Sequence, residues 1–120
     1  MRKNESILQR QSVSWFRYAY PQYKLLLFSI PNGGSRNVIE AVRLKAEGVV
    51  AGVADMFLSI PRPKKLPEFY YGMFIEFKVG KNKLSEHQIA FKGVVEKHGY
   101  KHVTIYSFDE FKREIEFYIN

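Results

Sequence analysis

The chain has 120 residues, 46% of them hydrophobic and 16% aromatic, with no cysteine and a formal net charge of +7. That apolar content supports one core and excludes a disordered chain. The lack of cysteine excludes disulfides, thiolate metal sites and cysteine nucleophiles, and suits a reducing cytoplasm. No apolar run approaches the ~20 residues that span a bilayer, and "MRKNESILQRQ" carries no apolar segment of the secretory type, so neither a membrane nor an export role is expected. A single domain over residues 1–120 is the simplest organisation.

Asn4 is placed to cap a first helix that runs to about Tyr20 and ends at Pro21. "KLLLFSI" (24–30) reads as a buried strand, and "PNGGS" (31–35) as a loop. "SRNVIEAVRLKAEG" has a helical pattern: Val38, Ile39, Val42 and Leu44 supply an apolar stripe and Gly48 stands at the C-terminal cap. "ADMFLSI" is a second strand. The loop after it is kept extended by Pro61, Pro63 and Pro67, and "YYGMFIEFKV" (70–79) is a third strand. "SEHQIAFKGVVEKHG" follows as a helix capped by Ser85 and closed by Gly99. "KHVTIYS" is a fourth strand, and "SFDEFKREIEFYI" a last helix with Ser107 and Glu110 spaced as a capping box. The order is α-β-α-β-β-α-β-α, an α/β chain with a mixed central sheet of about four strands flanked by helices.

Two of these strands carry charges. A lone carboxylate is costly to bury, so an acid inside a strand needs a partner or a task. Glu76 and Lys78 are two apart and share a face, while Phe77 points the opposite way, into a core. Asp55 opens the preceding strand. If the two strands pair, Asp55 lies beside Glu76, and the two carboxylates repel unless a cation neutralises them. Oxygen ligands of this kind suit Mg²⁺ or Mn²⁺. The plainer alternative is an ion pair within the sheet. The 19 Lys+Arg against 12 Asp+Glu favour a polyanionic partner, and several of the cations (Arg2, Lys3, Arg10, Arg17, Lys24) fall near the start with only Glu5 opposing them.

Asp55, then Glu76-x-Lys78 some twenty residues on, resembles the PD-(D/E)xK nuclease motif. Alone that pattern is weak. "PNGGSR", "RLKAEGVVAGVADMFL", "FIEFKVGKNKLSEHQ" and "HGYKHVTIYSFDE" resemble the successive blocks of the VRR-Nuc family within that superfamily, in order and over nearly the whole chain. One departure is mild: Ala54-Asp55 stands where the superfamily often has Pro-Asp.

The resemblance implies a restriction-endonuclease-like core and a Mg²⁺- or Mn²⁺-dependent DNA endonuclease. It implies junction-resolvase-like or structure-selective activity on branched DNA such as a four-way (Holliday) junction. Asp55 and Glu76 are then the metal ligands with the carbonyl of Phe77, and Glu5 answers to the family's early helical acid. Glu5 is equally explained as an acid favoured by the helix dipole. Lys78 orients the attacking water or offsets charge on phosphorus. The resemblance gives Gln88 a role at the active site, pointing to Lys78 or the water, but Ser85-x-x-Gln88 is also a capping box. Asn32, Gly33, Gly34 and Arg36 suit close approach to a DNA phosphate, or an ordinary turn into a helix. Lys45 reaches toward the site or lies on a solvated helix face.

His87, His98 and His102 are not spaced as a zinc set, and surface or cap positions suit them. Trp15, Phe16, Tyr18 and Tyr20 are a core or interface cluster before they are a base-stacking platform, and Phe117 and Tyr118 are expected to pack the last helix. A four-way junction is two-fold symmetric, so a homodimer with two active sites is expected. The competing function is a catalytically silent nuclease fold that grips DNA without cutting it.

Overall fold

The computed structural model describes residues 2–31, 37–65 and 68–120. Helix α1 (Arg2–Ala19) buries Leu8, Ser12 and Phe16, spaced four residues apart, on one stripe. It begins at Arg2, so Asn4 lies inside the first turn and is not the N-cap expected. Pro21, which cannot continue a helix, begins a short 3-10 turn (Pro21–Tyr23). Strand β1 (Leu27–Ser29) follows, then helix α2 (Val38–Ala46), whose N-cap Asn37 accepts from the N–H groups of Ile39 and Glu40.

The remaining elements are β2 (Met56–Leu58), β3 (Arg62–Lys65), β4 (Glu68–Tyr70), β5 (Met73–Phe77), α3 (Glu86–Lys97), β6 (Lys101–Ile105) and α4 (Phe108–Ile119). Four strands form one mixed sheet in the order β1-β2-β5-β6. β1, β2 and β5 are antiparallel neighbours, and β5 and β6 are parallel. A parallel pair needs a long crossover, and α3 supplies it. The expected mixed α/β sheet flanked by helices is what the chain forms.

The proline-rich connection differs from expectation. It contains a second, two-stranded ladder that pairs Arg62 with Tyr70 and Lys65 with Glu68. Pro63 is tolerated because a two-stranded ladder has open edges, and the register shifts between Arg62 and Lys65. The third strand of the main sheet is accordingly shorter than 70–79. At Gly72 an added Cβ would lie 2.5 Å from the Phe57 ring, so only glycine fits where the chain leaves the hairpin for β5.

One face of the sheet (Leu27, Met56, Leu58, Met73, Ile75, Phe77, Val103, Ile105) packs on Leu8 and Phe16 of α1 and on Phe111, Ile115 and Tyr118 of α4. Each fully buried side chain of this size contributes about 1.5–3 kcal/mol. Trp15 meets Tyr20 and Phe111 edge-on at 5.9 and 6.0 Å, so the early aromatic cluster is core apart from Tyr18, which is 86% exposed. Tyr118 packs as expected. Phe117 instead faces outward with the Arg62 guanidinium 4.5 Å over its ring. Helix α3 covers the second face, where Phe74 meets Phe91 at 5.1 Å.

Helix α2 buries none of its residues: Val38, Ile39 and Val42 are 77%, 80% and 63% exposed. Of the apolar stripe read in the sequence, Val38, Ile39 and Val42 face outward within this chain and Leu44 is half-buried. Among the described residues no helix is long and apolar enough to cross a membrane.

Candidate active site

The antiparallel register of β2 and β5 sets Met56 opposite Ile75. One step further along lie Asp55 and Glu76. Glu76 shares its face with Phe74, under α3, while Ile75 and Phe77 enter the core on the other side. Asp55 sits in the bend before β2, where the Ile30 N–H donates to its carbonyl at 2.8 Å and ties it to the end of β1. Its side chain is held from the other strand: Phe77 N–H donates to Asp55 Oδ2 at 2.8 Å. The neighbouring strand thus positions Asp55 through its backbone.

These residues open into a recess of about 320 Å³ lined by Glu5, Gln9, Asp55, Glu76 and Gln88, closed by Ser29 to Pro31 and Val53. Glu5, in the first turn of α1, is only 9% exposed, so it is more than a dipole-compensating surface acid. Gln88 is the third residue of α3. Its Oε1 accepts from Ser85 N–H at 2.8 Å and its Nε2 donates to Glu76 Oε2 at 3.0 Å. The capping contact expected for Gln88 and a contact to Glu76, in place of the expected one to Lys78, are therefore made by opposite ends of one amide.

Glu76 is 3% exposed, and its second oxygen, Oε1, has no hydrogen-bond partner among the described residues. Burial, then the charge of Asp55, push its pKa up to about 8; Lys78 opposes this, while a hydrogen bond to Asp55 and the charge of Glu5 add to it. A carboxyl in this setting keeps its proton at neutral pH. A hard divalent cation would replace that proton and occupy the orphaned oxygen, so the donor chemistry of Asp55 and Glu76 fits Mg²⁺ or Mn²⁺. Among the described residues no three His, Cys, Asp or Glu side chains are grouped to hold a metal on their own. Asp55 and Glu76 are the side-chain pair at the base of the recess, and backbone or water would fill much of the remaining coordination. That matches the reluctance of Mg²⁺ to shed its waters.

Phe77 is the last residue of β5, and its N–H, bonded to Asp55, is the group the structure ties to the site. Lys78 follows the strand, half-buried, outside the residues that line the recess, though its charge reaches Glu76. Lys45 is exposed in the last turn of α2 and does not line the recess. Asn32, Gly33, Gly34 and Arg36 lie outside the described residues.

The histidines are dispersed. His87 is exposed, and His98 caps α3 with its ring on the Val94 carbonyl at 2.9 Å. His102 differs from the surface or cap position expected. It is 5% exposed beneath α3, and burial, with the Lys92 charge, lowers its pKa to about 4, so it is neutral. The side chain at 102 alternates with Lys101 and Val103 and must enter one face of a strand whose two faces are both covered.

Two contributors escaped the sequence reading. Gln9 is one turn beyond Glu5, and i, i+4 spacing would have placed it beside that acid. Gly52 has φ +88°, and a Cβ there would lie 2.3 Å from the His87 carbonyl oxygen. The loop that delivers Asp55 therefore presses its backbone against the first turn of α3.

A family model described as the VRR-NUC domain matches residues 2–109. A solved structure of a VRR_NUC domain protein aligns with a TM-score of 0.79 at 24% identity, over 96% of this chain and 87% of the other; at that identity the likeness is one of fold. No functionally curated protein matches.

Proposed function

Because the chain belongs to the VRR-NUC domain family, a family of nuclease-fold domains, we propose that it is a divalent-metal-dependent, structure-selective DNA endonuclease, with residues 1–120 acting as one nuclease domain on four-way junctions or related branched DNA. The observation that carries this is the base of the recess: Glu76, buried with one oxygen unpartnered among the described residues, stands beside Asp55. Such a pair is unfavourable as mere structure and suited to a cation.

Asp55 and Glu76 would hold Mg²⁺ or Mn²⁺, with the Phe77 carbonyl as a main-chain ligand and Glu5 closing the site directly or through water. The bound cation supplies Lewis-acid polarisation of the scissile phosphate and a water of lowered pKa. The Phe77 N–H keeps Asp55 in place. The Gln88 amide occupies Glu76 Oε2 and so leaves Oε1 for the ion. Lys78 orients the attacking water or offsets the charge that grows on phosphorus. The products are a 5′-phosphate and a 3′-hydroxyl. Asn32, Gly33, Gly34, Arg36 and Lys45 contact the DNA beside the cut, and a homodimer presents two such sites to the two-fold symmetric junction.

The test is cleavage of labelled four-way junction, flap and linear duplex with Mg²⁺ or Mn²⁺, comparing wild type with Asp55→Ala and Lys78→Ala. Paired cuts in the junction, lost in both variants and on chelation, are expected. Junction binding with no cutting by any of them would instead make the chain a silent DNA-binding module.

A further inference from the structure

Helix α1 leaves a polar flank that the catalytic recess does not use. Beside the recess runs a groove of about 450 Å³ lined by Ser6, Gln9, Arg10, Val13, Ser14 and Arg17. The two concavities share Gln9, so they form one continuous surface. Its two halves have opposite chemistry, with carboxylates at one end and guanidiniums and hydroxyls at the other. Among the described residues, Arg10 donates only to the Ser6 carbonyl of its own helix, and neither Arg10 nor Arg17 has an acidic partner. Both side chains are exposed. A pair of arginines kept free of acids is poised for an external anion.

We infer that this flank of α1 is a phosphate track that binds the sugar–phosphate backbone of the nucleic-acid substrate and leads it to the carboxylates. The inference rests on the endonuclease function proposed for the recess and adds its substrate-holding surface. Arg10 and Arg17 are two helical turns apart, about 10.5 Å along the axis, or roughly three nucleotides of one strand at ~3.4 Å each. Ser6 and Ser14 are small, so the strand can come close, and their hydroxyls can donate to phosphate oxygens. Contacts of this kind to phosphate and sugar position the strand without selecting sequence.

The experiment measures binding of the full chain to a labelled duplex and a four-way junction, with chelator present so that no cutting occurs, across a series of salt concentrations. Arg10→Ala/Arg17→Ala is compared with wild type and with Lys97→Ala, which removes a charge at the far end of α3 from Gln88. The slope of log affinity against log salt is expected to shrink by roughly 2 in the double variant, about one per lost contact. Lys97→Ala is expected to keep the wild-type slope. Arg10→Glu/Arg17→Glu should weaken binding further while its circular dichroism stays that of wild type.

An unchanged slope in the double variant, with wild type binding and cutting DNA, overturns the track and leaves the endonuclease standing. An equal loss in Lys97→Ala also overturns it, because the effect would then be one of net charge. Wild-type binding without salt dependence overturns the track and the endonuclease together.

Discussion

Gln88 Nε2 donates to Glu76 Oε2 at 3.0 Å, while Gln88 Oε1 accepts from the Ser85 N–H at 2.8 Å. The start of α3 is thereby coupled to the buried acid through one planar amide. The Ser85 N–H can be satisfied only by an oxygen, which turns the amide nitrogen toward the carboxylate and determines which Glu76 oxygen is left open.

Gln88→Glu separates the two tasks. A glutamate at this position still accepts from Ser85 N–H, so the cap survives and the thermal midpoint should move by an amount equivalent to no more than about 1 kcal/mol. Toward Glu76 it replaces a donor with another acceptor. Cleavage is expected to fall by at least about 10–100-fold, the range for outer-shell partners of metal ligands. Full activity with a large loss of stability would mean that Gln88 is a cap alone.

The metal-free protein should lose stability as pH rises. The folded-state pKa of Glu76 is raised to about 8 from an ordinary 4.5. Between those values the folded chain binds more protons than the unfolded one, so the contribution is fully present below pH 4.5 and is lost as pH approaches 8. Thermal melts in chelator over this window check the sign. Glu76→Gln should flatten the curve, and at pH 8 it should be at least as stable as wild type. Adding Mg²⁺ or Mn²⁺ should raise the wild-type midpoint most at the alkaline end, with a proton released on binding, and Asp55→Ala should abolish that gain.

Gly52→Ala is predicted to destabilise the fold by about 1–3 kcal/mol. Two costs combine: a positive φ of +88° and a Cβ 2.3 Å from the His87 carbonyl oxygen. Relief requires the loop before Asp55 to part from α3, so activity should fall by more than the stability loss at assay temperature explains. Denaturant melts and single-turnover cleavage on the same preparation test this. Gly80→Ala, with φ +60° but open space around the Cβ, is the control for backbone strain alone.

In α2, Val38→Thr, Ile39→Thr and Val42→Thr together should change the unfolding free energy of the isolated chain by less than ~1 kcal/mol, because these side chains already face water. The same change at Met56, Ile75 or Val103 would place a hydroxyl in the core and cost several times more. A large loss from the α2 triple variant in dilute solution would show that the stripe is covered there.

Much of this protein was decided locally. Pro21, Ser85, Gly99 and Ser107 punctuate the chain by their own backbone chemistry, and the helices and strands between them carry their periods in a few adjacent residues. The spacing of Asp55 and Glu76 on apolar runs was also enough to mark a charged site, because a carboxylate among buried residues needs a reason wherever the strand lies. Other features required the strands to be assembled. The Phe77 N–H reaches Asp55 only across the β2–β5 register, and the Glu76 pKa rises only because the fold buries it and brings Asp55 beside it. The hairpin of β3 and β4 escaped because prolines argue against a strand in the middle of a sheet, and only the completed pairing leaves them on open edges. The stripe on α2 has a helical period that is real, but a period says which side of a helix is apolar and not what covers it. Sequence determined the helices, the strands of the main sheet and which carboxylates lie among buried residues. Tertiary structure decided which of their atoms meet, because hydrogen bonds, burial and charge coupling depend on distances between residues far apart in the chain.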